Sequence, residues 1–238
     1  MNNTVKLAMG LAAIVVIALL GIRFLGPWDQ NIGVPGETVA PTATPLELPD
    51  TTGELSPGTY FVEKPAVTPA RFTLEVPAGW QTIEGTFLGK IKDRAFYVAL
   101  SPWVVDQVYT DPCQWVAAEL EPPLGPSVDA LATALADQVG RDATTPTDVM
   151  LGGYPGKMVE LSVPDDFDVT TCDNEEFRMW RSLGSAGGYN YGPGQRDTVY
   201  IIDVDGERLV IHAMYTPIAS EGDIAELQAI VDSIRIEP

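Results

Sequence analysis

The sequence predicts an α+β fold, an antiparallel sheet with helices packed on it, preceded by one N-terminal transmembrane helix. Three observations carry this reading. An uncharged apolar run opens the chain, two hairpin signatures centred on glycine turns lie in its second half, and two stretches of helical periodicity interrupt the strands.

Residues 1–6 form a short polar start, and Leu7 to Ile22 reads LAMGLAAIVVIALLGI without a charge. Extended over 7–25, the run makes about 28 Å of helix at ~1.5 Å per residue, close to the ~30 Å hydrocarbon core. Arg23 lies near its end, where a long side chain reaches the headgroups, and Trp28 follows at interface depth. A cleaved signal peptide would show a small-x-small site, which LLGIRFLGPW lacks, and a lipoprotein would need a Cys before Cys113. The reading is therefore an uncleaved anchor that contacts the lipid bilayer through 7–25. Residues 1–26 hold Lys6, Arg23 and no acid, leaving −21 on the remainder, so the expected N-terminus is cytoplasmic and the C-terminal domain outward.

Residues 26–57 read as a Pro/Thr-rich linker. Pro27, Pro35, Pro41, Pro45, Pro49 and Pro57 alternate with Thr38, Thr42, Thr44, Thr51 and Thr52, and no apolar period is visible. Residues 58–238 form the extracytoplasmic α+β domain. Phe72, Leu74 and Val76 alternate with polar residues as in a half-buried strand, then Pro77-Ala78-Gly79 turns the chain toward Trp80. Ala95 to Leu100 is a second strand, continued past Pro102 by Trp103-Val104-Val105.

Ser127 caps a helix whose buried stripe is Val128, Leu131, Leu135 and Val139, with Gly140 as its stop. Strands over 148–151 and 157–163 flank a turn at 152–156, with Val159, Leu161 and Val163 on one face. TVYIIDV and ERLVIHAMY flank Asp205-Gly206, the signature of a type I′ hairpin. Tyr200, Ile202 and Val204 face one way and Val199 and Ile201 the other, which marks a central strand covered on both sides. The last helix opens with a capping box at Ser220 and Asp223 and buries Ile224, Leu227, Ile230 or Val231, and Ile234.

This arrangement, with VPAGW after the first strand and ELQAIVDSIRIE in the final helix, resembles the PsbP-like α/β/α group, which includes surface lipoproteins of actinobacteria. DQVYTDPCQW followed by GPSVDALATALADQ is similar to secreted or membrane-tethered domains of such bacteria. The resemblance covers about 60–238 and rests on structural motifs. It implies an α/β/α sandwich and a non-enzymatic domain that binds a protein or a small ligand. The lipoprotein attachment Cys is missing, and the apolar anchor stands in its place.

Composition excludes several functions. With 14 basic against 33 acidic residues and a net charge of −19, nucleic acid is not an expected partner. Cys113 and Cys172 are too few for a multi-Cys zinc module but suit a disulfide between loops in an exported domain. The alternative is two buried thiols. His212 is the lone histidine, set in a strand; a three-His zinc site is impossible by count, and no Gly-x-Ser-x-Gly elbow supplies a nucleophile.

The acids of 164–177 (Asp165, Asp166, Asp168, Asp173, Glu175 and Glu176) lack the EF-hand pattern and read as a solvated loop. Trp180 to Arg196, WRSLGSAGGYNYGPGQR, combines glycines with flat amphipathic rings, the chemistry of adaptable binding loops. Trp180, Tyr189, Asn190, Tyr191 and Arg196 are its candidate ligand-binding residues, weighed against a connection whose aromatics fold back onto the sheet. No cofactor, metal or catalytic residue is expected. The expected function is a single-pass plasma-membrane protein presenting a binding module for a protein or small-molecule ligand at the bacterial envelope. The alternatives are an envelope hydrolase using paired carboxylates and a calcium-dependent adhesive module.

Overall fold

The computed structural model describes residues 44–237 apart from 66, 183, 184 and 191, and for 185–190 it describes the backbone. The expected anchor over 7–25 and the linker up to residue 43 lie outside the described residues. Among the described residues no helix is long and apolar enough to cross a membrane.

The chain runs through β1 (Leu46–Glu47), β2 (Gly53–Glu54), β3 (Gly58–Val62), β4 (Arg71–Val76), β5 (Gln81–Ile83), β6 (Phe87–Lys92), β7 (Ala95–Trp103) and β8 (Val105–Val108) to the helix α1 (Val128–Ala136). Then come β9 (Asp142–Ala143), β10 (Thr147–Leu151), β11 (Tyr154–Ser162), β12 (Phe177–Ser182), β13 (Ser185–Asn190), β14 (Arg196–Val204) and β15 (Glu207–Tyr215). The helix α2 (Glu221–Ser233) and β16 (Arg235–Glu237) close the order.

The largest sheet is antiparallel, in the order β10-β11-β14-β15-β7-β6-β5-β2 with β9 also on β11. Its centre is the predicted hairpin. Val204 pairs with Glu207 around Asp205 and Gly206, whose φ values of 54° and 91° are those a type I′ turn demands. Gly152 and Gly153 make the same two-residue turn between β10 and β11.

β14 feeds two cores by simple alternation. Tyr200, Ile202 and Val204 join Phe72, Leu74, Trp80 and the α2 residues Leu227, Ile230 and Val231. Val199 and Ile201 point the other way, to α1 through Leu131, Ala132 and Leu135 and to Val105 and Trp180. One helix therefore covers each face of the sheet. A smaller sheet, β1-β3-β4-β16, adds to the α2 side, and β13-β12-β8 adds to the α1 side. Both caps are as predicted: Ser127 accepts from the Ala130 N–H, and Ser220 and Asp223 form the reciprocal box.

Four expectations differ in detail. The linker surrenders its last residues to the fold: β1 pairs with β3, β2 pairs with β5, and Leu48 and Leu55 are buried. Two isolated leucines set no period, so the Pro/Thr texture hid them. Helix α1 stops at Ala136, where Asp137 caps it, so Val139 is exposed rather than part of the stripe. β7 continues past Pro102 but ends at Trp103, and Val105 opens β8 in a different sheet instead of prolonging the strand. The segment read as a loop from Trp180 is largely the β12–β13 hairpin.

Gly156 is held tightly in β11. A Cβ there would drive into the Ile201 carbonyl on β14. Gly156→Ala is expected to lower stability by about 1–3 kcal/mol through strand displacement, measured by urea denaturation.

Candidate functional site

At the end of β14 the alternation that buries Val199 and Ile201 also sends Asp197 inward. A buried carboxylate needs partners, and Asp197 has them. Arg141 donates from its terminal NH2 at 2.9 Å, Gln195 donates from Nε2 at 2.8 Å, and His212 Nε2 lies 2.9 Å away. The Arg141 and Asp197 side chains are both 0% exposed. Burial acts to raise the Asp197 pKa, but His212, Arg141 and Gln195 together outweigh it and hold the carboxyl below its ordinary value. Burial lowers Arg141 against the pull of Asp197. An ionised carboxylate only accepts, so the Nε2 of His212 carries the proton facing it.

Ser101 stands opposite His212 on β7, so a Ser, a His and an Asp lie on neighbouring strands. They do not form a catalytic site. The Trp103 indole donates to Ser101 Oγ at 2.9 Å, the Trp180 ring packs edge-on against His212, and both Ser101 and His212 are buried. A nucleophile sealed in a core meets no substrate, and the group acts as a structural lock between strands.

On the opposite face the same strand ends expose a groove of about 330 Å³. Ser162, Arg196 and Tyr215 pair in register across β11, β14 and β15, and Glu160 and Thr198 make the next row. Asp142 on β9 borders it. Arg196, 43% exposed, donates to the carbonyls of Val163, Gly194 and Gln195 and lies 3.7 Å from Asp165. The groove is thus a flat sheet face carrying hydroxyls, one guanidinium, the exposed carboxylates of Asp142 and Glu160, and the half-buried Tyr215.

Cys113 and Cys172 are joined by a disulfide with their Cα atoms 4.5 Å apart, closing a span of 59 residues. In the chain-entropy picture a loop of that size adds about 4 kcal/mol. The nearby acids serve local structure. Asp168 accepts from the Thr170 N–H and hydroxyl, Asp173 accepts from the Val116 N–H, and Glu176 pairs with Arg178. Among the described residues no three His, Cys, Asp or Glu side chains come together to hold a metal ion. Among the described residues four acid pairs converge, and each shares a cation: Glu63 and Glu237 flank Arg71, Asp106 and Glu119 flank Arg181, Asp129 and Asp148 flank Lys157, and Asp223 and Glu226 flank Lys90.

Of the candidate ligand residues, Arg196 lies in the open groove. Trp180 corrects the reading: its side chain is 0% exposed, packed between Trp103 and His212 in the second core, because its position on β12 faces α1's side of the sheet. Tyr189 and Asn190 lie on the backbone of β13, their side chains outside the described residues, as is the whole of Tyr191. The sequence reading missed Asp197, Arg141 and the groove residues other than Arg196. Asp197 was within reach, since it sits two and four positions before Val199 and Ile201 on an inward-facing row. Arg141 was not, because it comes from a connection with no period.

No family model matches the chain, and no curated protein does. Among solved structures the chain is similar to the solution structure of cyanobacterial PsbP (CyanoP) from Synechocystis sp. PCC 6803, at 11% identity and a TM-score of 0.35, covering 75% of this chain and 92% of that one. So distant a likeness transfers no residue role.

Replacing Asp197 by Asn removes the carboxylate charge that faces the buried Arg141 guanidinium. The expected loss is about 3–5 kcal/mol, whereas an Arg141→Met, Asp197→Leu double variant recovers only part of it, because His212 and Gln195 also lose the carboxylate they face; urea midpoints compare the two.

Acid has a predictable effect. Asp223 is held down to about 2, first by Lys90 and then by Ser220, and Asp197 is also depressed. Unfolded, each titrates near ~3.9. Below that value the unfolded chain binds protons that the folded chain refuses, so acid favours unfolding. Stability from these groups is complete above about pH 5 and falls as pH drops through 4 toward 2. Asp223→Asn is expected to flatten part of that decline in urea titrations across the range.

Proposed function

We propose that the chain is a membrane-anchored, extracytoplasmic binding module of a bacterial cell envelope, non-enzymatic, with a PsbP-like arrangement of its domain. The observation that carries the reading is the Cys113–Cys172 disulfide, since such bonds persist in oxidising compartments. The uncharged run over 7–25 and the acid surplus beyond it support a single-pass anchor in the plasma membrane with the domain outward.

The ligand surface in this reading is the groove around Arg196. Binding sites draw on a few convergent polar groups beside an apolar surface, and this groove has both. The buried lock of Arg141, Asp197 and His212 lies under its floor and holds the strand ends that carry it. Its role is to keep a rigid platform for contacts made on the other face.

Fractionation and proteolysis test the reading on the full chain expressed in a bacterium. The chain is expected in the carbonate-resistant membrane pellet, its cysteines unreactive to thiol reagent under denaturing, non-reducing conditions. Protease added to spheroplasts is expected to remove the domain. A soluble chain, or a domain protected in intact spheroplasts and digested only after lysis, overturns the reading.

A further inference from the structure

We infer that the groove formed by Glu160, Ser162, Arg196, Thr198 and Tyr215 binds a neutral saccharide, an inference that rests on reading this groove as the module's ligand surface. The argument starts from the donors and acceptors on the page. Arg196 only donates, Glu160 when ionised only accepts, and the hydroxyls of Ser162, Thr198 and Tyr215 do both. A sugar hydroxyl is itself donor and acceptor, so it pairs with every member of that set.

Geometry points the same way. The groups stand on adjacent strands, Ser162 opposite Arg196 and Arg196 opposite Tyr215, with Glu160 opposite Thr198 in the next row. Neighbouring strands are about 4.8 Å apart, the scale that separates alternate, not adjacent, equatorial hydroxyls of a pyranose ring. Tyr215, half-buried against the α2-side core, borders the groove. The groove spans the faces of β11, β14 and β15 and reaches the sheet's edge at β9.

Charge decides between neutral and acidic ligands. Asp142 and Glu160 border the groove and Asp165 lies against Arg196, three carboxylates to one guanidinium. A phosphate or a uronate entering it meets net negative charge, and one terminal nitrogen of Arg196 already donates to the carbonyls of Val163, Gly194 and Gln195. A neutral polyol uses the same carboxylates as acceptors without that repulsion.

The test uses the full chain in detergent and saturation-transfer difference NMR, which reads weak binding from the ligand's own signals. The probes are maltotriose, cellotriose and triacetylchitotriose, with trigalacturonate as the acidic counterpart. At least one neutral trisaccharide is expected to give transfer signals at millimolar concentration, and trigalacturonate none. Glu160→Ala is expected to weaken that binding about tenfold, close to the loss of one good hydrogen bond. Thr198→Trp, which fills the groove, is expected to abolish it, and melting temperatures within a few degrees of the parent establish that both variants fold.

Silence from all three neutral probes overturns the inference, as does equal binding of trigalacturonate or binding that survives Thr198→Trp. The envelope reading fails separately. A chain that fractionates and digests as expected yet binds no trisaccharide keeps its place in the membrane and loses the saccharide, whereas a soluble chain loses the envelope reading whatever the sugars do.

Discussion

The fold depends on one strand being buried on both faces. β14 lies between β11 and β15, and its side chains alternate between a core closed by α2 and a core closed by α1. Burying a large aliphatic side chain contributes roughly 1.5–3 kcal/mol, and β14 places four hydrophobic residues in a row, Val199 to Ile202, none more than 5% exposed. A one-residue slip would exchange the faces and send each side chain into the wrong core, so the register of the whole sheet follows from this strand. The Asp205-Gly206 turn sets that register at one end by allowing two successive positive φ values.

The other end of the hairpin cannot continue the same apolar logic, and this explains the chemistry found there. Beyond Val199 the inward position falls to Asp197, opposite the end of the α1-side core. Arg141 and His212 supply the compensation that a buried carboxylate requires. Removing one member of such a group costs more than the intact group ever adds, because the survivors remain buried with nothing to replace the lost partner. The lock therefore selects one arrangement of 141, 195–197 and 212 and so contributes specificity more than stability. On the opposite face the same residues of β14, Arg196 and Thr198, carry polar side chains to the open groove.

Much of the fold was legible in the sequence because its signals are local. The Asp205-Gly206 turn, both helix N-caps and the two-sided apolar pattern of 199–204 depend on residues within a few positions of one another and stand where they were expected. The turn expected over 152–156 is confined to Gly152 and Gly153, with β11 beginning at Tyr154. What was illegible depends on distant partners. Leu48 and Leu55 acquire meaning only against β3 and β5, and Trp180 reads as a binding aromatic until Trp103 and His212 are seen to enclose it. The groove was invisible for the same reason. Residues 160, 162, 196, 198 and 215 are scattered along 56 positions of chain, and antiparallel register alone brings them into two rows.

The surplus of acid has a physical consequence for any such surface. Many carboxylates have specific duties, as caps at Asp168 and Asp223, as a turn acceptor at Asp203, and as ion-pair partners at Asp106, Glu119 and Glu226. The rest leave a field that repels anions at distances up to a Debye length, about 8 Å at physiological salt. In the proposed setting that field disfavours contact with anionic headgroups and with acidic polymers alike. It leaves neutral ligands unaffected, because a hydrogen-bonded polyol releases no counterions and brings no charge to be steered. Selectivity at the groove then needs no dedicated rejecting residue: the overall composition excludes one class of ligand, and the few polar groups at the ends of β11, β14 and β15 choose within the other.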